Sequence, residues 1–317
     1  MANRFPDDKT FAFSIFDDTD FATLENVEPV YRFLADLGLR TTKSVWPLAT
    51  HAAGRIGGDT LQAPPYLAFI LDLKRQGFEI GFHNARNYDS PREVTERGLE
   101  EFRRLIGHYP VTHCNHFSNC ENIYWGARRL SSPGLRLVYH LATRFSHRGR
   151  FQGHVEGSPF FWGDLCREHI RYVRNFVFEE INLDGINPSM PYRDPSRPHV
   201  NAWFSSCQGG SLREFCHTLR EASQDRLEEE GGVCIMYTHF GSGFCRDGRL
   251  DPDFERLVRR LAGKNGWFVP VGTLLDHLSK QRILRAIPDR ERAAMERRFL
   301  LEKLRDRNPL RRLRSKP

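Results

Sequence analysis

The feature that most restricts the fold of this chain is an alternation of short apolar runs with stretches of helical period. Strand-like runs fall at residues 11–16, 41–46, 78–83, 111–115, 170–178, 233–238 and 267–271. Helical patterns lie between several of them. Leu24, Val27, Val30, Tyr31, Leu34 and Leu37 share one helical face, and Gly38 follows as a stop. Residues 64–76 and 91–106 repeat the arrangement, ending at Gly77 and Gly107. Residues 211–230 and 252–261 predict two more helices. Strand–helix alternation of this kind predicts a parallel sheet covered by helices. About seven strands in this length favour a (β/α) barrel over an open doubly wound sheet. Residues 130–210, rich in Gly, Pro and Arg, read as a long irregular insertion with one or two strands. Residues 1–280 would form the barrel and residues 281–317 a basic helical tail.

Charge is distributed unevenly. The chain carries a formal charge of +7, yet from Lys280 onward there are 14 Lys/Arg against 5 Asp/Glu. The barrel portion is therefore close to neutral, which speaks against a nucleic-acid groove and gives the tail a local role. That role would be packing on the barrel, or contact with a membrane surface or a glycan-synthesis complex. The N-terminus lacks the pattern of a signal peptide, and no apolar stretch is long enough for a membrane span. Seven cysteines, none in a Cys-x-x-Cys pair, read as reduced thiols of a cytoplasmic protein.

The polar residues that could carry chemistry stand at strand ends. Asp17 and Asp18 close the first run, His83 the third, His113, Asn115 and His116 the fourth, and His239 the sixth. In a parallel barrel the C-terminal strand ends share one rim, where active sites are built. Each residue alone has a bland reading as a cap or a rim histidine, but their convergence from four strands favours a site. A carboxylate with imidazoles suits a divalent ion that keeps an open position, polarises a carbonyl and lowers the pKa of its water. A second carboxylate would take the proton of that water, and a histidine would protonate the leaving amine.

On these residues the sequence resembles the polysaccharide deacetylases, the NodB-homology family. FSIFDDTD is similar to that family's paired-Asp motif, GFEIGFHN to its second motif and MYTHFG to its late histidine motif, and WFVPVGTLLDHL resembles its closing strand and helix. DDTDFATLENVEPVY and RTTKSVWPL resemble a branch associated with bacterial surface-glycan synthesis. The resemblance implies a distorted (β/α) barrel and hydrolysis of an N-acetyl group on a sugar of a surface polysaccharide or its precursor. It implies Asp17 as general base, His239 as general acid, and Asp18 and His83 as ligands of one divalent metal, zinc before Mn, Mg, Co or Ni. Asn87 stands where the family has a further histidine ligand, so Asn87 or His116 would complete the set. His113, Asn115 and Trp125 are candidate substrate contacts, and Tyr124, Phe160, Phe161 and Trp162 are further aromatic candidates for a sugar site. A decayed, glycan-binding barrel is the alternative that Asn87 favours. A Mg-dependent phosphatase reading rests on Asp18-Thr19-Asp20 alone.

Overall fold

The computed structural model describes residues 5–49, 56–117 and 119–306. Seven parallel strands, β1 (Phe11–Asp17), β2 (Thr42–Val45), β3 (Glu79–Phe82), β4 (Thr112–His113), β5 (Tyr172–Phe178), β6 (Ala202–Cys207) and β7 (Val233–Thr238), follow one another around a ring. Pairing of β1 with β7, from Ala12 opposite Val233 to Asp17 opposite Thr238, closes it. A short hairpin, β8 (Cys245–Arg246) with β9 (Arg249–Leu250), lies outside the ring, and β10 (Gly266–Phe268) attaches to β1. The result is a closed (β/α) barrel, as the strand–helix alternation predicts, and the open doubly wound sheet is excluded. Of the one or two strands expected within residues 130–210 the structure has two, and β6 is the one whose position the sequence does not show. Its six residues, AWFSSC, follow a proline-rich loop and carry too little apolar length to stand out.

β1 is the most heavily paired strand. Its first half shares an edge with β10, the second half of that edge pairs Phe16 and Asp17 with Thr42 and Lys43, and its other edge carries β7. Every residue of β1 is buried. That two-sided burial is what an uninterrupted apolar run in a parallel sheet encodes.

Helices α1 (Leu24–Asp36), α2 (Pro64–Arg75), α3 (Arg92–Ile106), α4 (Pro133–Ala142) and α5 (Gly163–His169) cover the first part of the ring. Helices α6 (Leu212–Thr218), α7 (Glu221–Glu230), α8 (Pro252–Ala262), α9 (Val271–Arg282) and α10 (Asp289–Asp306) follow. The single helix expected over 211–230 is two, each with its own start. Thr23 caps α1, with Asn26 returning the bond to the Thr23 backbone. Gly107 ends α3 at φ 90°, a left-handed conformation that a β-carbon would strain. On α10, Met295, Phe299 and Leu300 are buried, and Phe299 packs on Phe176 of β5 at 4.9 Å between ring centroids. Residues 307–317, the most basic part of the expected tail, lie outside the described residues.

At the bottom of the ring a buried carboxylate ties α9 to three strands. Glu79 accepts from the Gly272 amide at 2.7 Å and from the Thr42 and Thr112 hydroxyls at 2.8 Å each. It thereby fills orphan donors of the first turn of α9 from outside the helix. Burial pushes its carboxyl above the usual range, against the pull of these three donors. Glu79→Ala is expected to leave three buried donors without an acceptor and to cost about 2 kcal/mol or more, read as a lower urea midpoint at unchanged m-value.

Candidate active site

The site forms where β1 ends. Side chains alternate across a strand, so Asp17 and Asp18 leave β1 on opposite faces. Asp17 points outward, under α1. Its Oδ2 accepts from Tyr31 Oη at 2.9 Å and pairs with Lys43 Nζ at 2.9 Å, and its Oδ1 accepts from the Phe240 amide at 2.8 Å. Both members of the ion pair are fully buried, and burial opposed by Asp17 leaves the Lys43 ammonium above its usual pKa. Asp17, the expected general base, does not line the cleft described below, and its carboxylate meets Tyr31, Lys43 and the Phe240 amide in the layer between sheet and helices.

Asp18 points inward. Arg174, from the middle of β5, grips it with both terminal nitrogens, Nη1 to Oδ1 at 3.0 Å and Nη2 to Oδ2 at 2.6 Å. The Cys114 thiol donates to Asp18 Oδ1 at 3.0 Å. Burial is the largest single influence and would raise the Asp18 carboxyl, but the Arg174 charge and hydrogen bond together with the nearby His83 and His239 outweigh it and hold it far below the usual range. Arg174 in turn lies over the rings of Tyr237, at 4.4 Å, and Phe16, at 5.3 Å.

The carboxylate at the centre of the histidines is Asp20. Its Oδ1 lies 3.0 Å from His83 Nε2 and 3.4 Å from His116 Nε2, and its Oδ2 lies 3.7 Å from His239 Nε2. The far nitrogens assign the tautomers. His83 Nδ1 faces the Cys114 carbonyl at 3.2 Å and the Cys114 sulfur at 2.8 Å. His116 Nδ1 faces Asn119 Oδ1 at 3.1 Å, and the Asn119 amide is oriented by donating to Arg86 O, Tyr88 O and Glu121 Oε1. His239 Nδ1 faces Gly210 O at 2.7 Å. With their Nδ1 protons given to oxygens, His83 and His116 turn Nε2 lone pairs toward Asp20. In those tautomers a cation held between Asp20 and the two Nε2 atoms would satisfy the carboxylate and the lone pairs together. His116 Nε2 is buried and has no hydrogen-bond partner, and burial lowers its pKa to about 4, keeping the imidazole neutral as a ligand must be.

Two groups of side chains bring ligand atoms within 4.8 Å of one another, Asp20–His83–His116 and Asp18–His83–Cys114. The first fits a divalent ion better. Asp18 is already neutralised by the Arg174 guanidinium, which would repel a metal held by the same carboxylate. One carboxylate and two imidazoles form a donor set that suits zinc and neighbouring ions and leaves room for other ligands.

The remaining candidates are dispersed. Asn87 does not turn toward the histidines, because its amide donates to the Ile56 carbonyl at 2.6 Å. His113 is fully buried against Trp162 and Phe82, donates to the Phe82 carbonyl and does not line the cleft. Burial pushes it down to about 3. Asn115 lines the cleft but spends its amide on both backbone groups of Ile123. Trp125 is in the cleft wall, whereas Tyr124, Phe160, Phe161 and Trp162 are not, and the Trp162 indole donates to the Glu121 carbonyl.

The cleft has a volume of about 540 Å³. Asp18, Asp20, His83, Arg174, Tyr237 and His239 form its floor, and Trp125, Arg129, Tyr139, Phe299, Glu302 and Lys303 extend one wall. The loop after β7 reaches the floor through Gly241, where a β-carbon would stand 2.4 Å from the backbone of Phe21 and Ala22. Only glycine lets the His239 loop close onto the Asp20 loop. Thr23 caps the helix that follows, and in the sequence Asp20 stands out only within the phosphatase-like run Asp18-Thr19-Asp20. Its signal was the spacing to Asp18, which puts two carboxylates on one side of a strand end. A lone arginine in the apolar run YVRNFVF was the signal for Arg174.

No family model matches the sequence, and no curated protein does. Solved structures match by shape. The Puue allantoinase aligns at TM-score 0.50 and 12% identity, over 88% of this chain and 93% of that one. A Mycobacterium smegmatis protein assigned to the polysaccharide deacetylases aligns at 0.49 and 12%, over 90% and 95% of the two chains. A Bordetella bronchiseptica protein assigned as a polysaccharide deacetylase of O-antigen biosynthesis aligns at 0.38 and 14%, over 97% and 95%. At such identity the allantoinase match is a likeness of fold.

The buried pair under α1 is testable by itself. Lys43→Met should destabilise by about 3–5 kcal/mol, because Asp17 is left buried without its counter-charge. Adding Asp17→Asn to that variant should recover part of the loss. Urea denaturation of the two single variants and the double variant measures both.

Proposed function

We propose that the chain is a metal-dependent hydrolase that removes an N-acetyl group from an acetamido sugar of a surface glycan or its precursor. The observation that carries this reading is the convergence of His83, His116 and His239 Nε2 on Asp20 beside an ionised, clamped Asp18 in an open cleft. Asp20, His83 and His116 would hold the ion, which supplies a polarised carbonyl and an acidified water. Asp18 is the carboxylate next to that set on the cleft floor, and we assign it the general-base role that the sequence resemblance gave to Asp17. Arg174 fixes its direction. His239, oriented by Gly210 O and within 3.2 Å of Tyr237 Oη, is assigned proton donation to the leaving amine. Wall residues Trp125 and Tyr139 supply flat surfaces for a pyranose ring.

Metal content and activity test the assignment together. Full-length protein should hold about one equivalent of metal by elemental analysis, lost in Asp20→Ala, His83→Ala and His116→Ala and kept in Asn87→Ala. Asp18→Asn should retain metal and lower acetate release from its sugar substrate by about 10²–10⁴-fold. Absence of metal after supplying Zn²⁺, Mn²⁺ or Mg²⁺ would instead support the glycan-binding reading.

No described helix is long and apolar enough to cross a membrane. A surface attachment has separate support. Residues 122–155 contain six Arg and no Asp or Glu. On and after α4 the same stretch exposes Leu137, at 55%, Leu141, at 59%, Val138 and Phe145. Exposed aliphatic side chains in an arginine-rich stretch match an anionic lipid surface, and Tyr139, His147 and Phe151 of this stretch line the cleft. We propose that α4 seats the protein on anionic lipid. Cosedimentation with phosphatidylcholine vesicles should require added phosphatidylglycerol and weaken with salt. It should be lost on combining Leu137→Glu with Leu141→Glu, whereas equal binding to neutral vesicles or by that variant would count against it.

A further inference from the structure

The cleft wall holds a charge that the proposed chemistry does not use. Arg129 ends a 3-10 turn, Gly126–Arg129, in the loop after β4 and is 6% exposed. Its guanidinium lies between two aromatic rings, 4.0 Å from the Trp125 centroid and 4.4 Å from that of Phe299 on α10. With both faces covered, only the edges of the fork can take a ligand. Nη1 donates to the Asn175 carbonyl at 3.1 Å. Nε is buried without a partner.

No carboxylate balances this cation. Its electrostatic neighbours are the Tyr139 hydroxyl and a second guanidinium, Arg174, and burial draws its pKa down to about 10. Among the described residues Arg129 forms no ion pair. Glu302 on the same wall is taken up by Arg298 Nε and the Glu179 amide, from both of which it accepts. A buried arginine is ordinarily paired, because an uncompensated charge away from water is costly. Here the place of the counter-ion is open cleft. Lys303, on the α10 turn after Phe299, brings a second cation to the same wall.

We propose that Arg129, clamped between Trp125 and Phe299 in the active-site cleft, is the receptor for an oxyanion on the substrate, so that the substrate is an anionic rather than a neutral acetamido sugar. The proposal rests on the acetamido-sugar reading for its sugar part and on the unpaired guanidinium for its charge. The fork accepts the two oxygens of a carboxylate or of a phosphate alike. A uronic-acid ring and a sugar carried on phosphate would both offer that chemistry. α10 becomes part of the binding site through Phe299, which makes the C-terminal helix a determinant of specificity and not only a cover for the barrel.

Titration calorimetry on the full-length protein tests this without requiring turnover. Three probes are compared: an N-acetylhexosaminuronic acid, N-acetylglucosamine 1-phosphate and neutral N-acetylglucosamine. Wild type should bind at least one anionic probe about tenfold or more tightly than the neutral sugar, and which anion wins separates uronate from phosphate. Arg129→Gln should abolish that preference and leave neutral-sugar binding within about twofold. Arg129→Lys, which keeps the charge and loses the fork, should retain part of it, and serves if Arg129→Gln fails to fold by circular dichroism. Equal affinities for the three probes, no binding of either anion by folded wild type, or an undiminished preference in folded Arg129→Gln would overturn the proposal. Anion binding that depends on Arg129 without acetate release would leave this receptor standing and remove the hydrolase reading instead.

Discussion

The pairing of β1 with β7 is the contact on which the rest of the structure depends. It turns an eight-stranded sheet into a closed ring and brings the first strand end beside the last. Without it, the loop carrying Asp18 and Asp20 and the loop carrying His239 would stand at opposite edges. The Asp18 amide continues the pairing past the strand by donating to the Thr238 carbonyl at 2.9 Å. The direction of each side chain after β1 is set there, by the pleat.

From that fixed phase the two layers of charge follow. The outward carboxylate, Asp17, meets Lys43 and Tyr31 and ties β1 to β2 and α1. The inward carboxylate, Asp18, meets Arg174 across the ring. One pair lies in the layer between sheet and helices, and the other lies at the mouth. A buried ion pair of either kind adds little net stability compared with apolar packing, but it imposes a single geometry, since each partner is costly to leave alone. At the mouth, that geometry holds Asp18 still beside the Asp20–histidine cluster.

The cleft above the floor belongs to segments that lack regular pattern. Trp125 and Arg129 come from the loop after β4, Tyr139 from α4 and Phe299 from α10. Their meeting joins the long insertion to the C-terminal helix, residues far apart in the chain. Cation–aromatic contacts at 4.0 and 4.4 Å join the two segments into one wall.

The sequence by itself determined the barrel, because two-sided burial writes apolar runs and one-sided burial writes helical stripes, and both are local. It also placed Asp18, His83, His116 and His239 at strand ends, which share a rim in any parallel barrel. It did not assign Asp17 and Asp18 to their faces. Either could have pointed inward until the register of β1 against β2 and β7 was known. Nor did it mark Asp20 as the centre of the histidines, since spacing ties it only to Asp18 in the β1–α1 loop, or Arg174, whose partner lies 156 residues away. Asn87 shows the converse. It occupies a promising position in the motif, yet the loop after β3 turns its amide to the Ile56 carbonyl. Strand ends are a property of the chain, but which atoms face one another across the ring is decided only by closure, since it depends on contacts between residues that sequence spacing cannot relate.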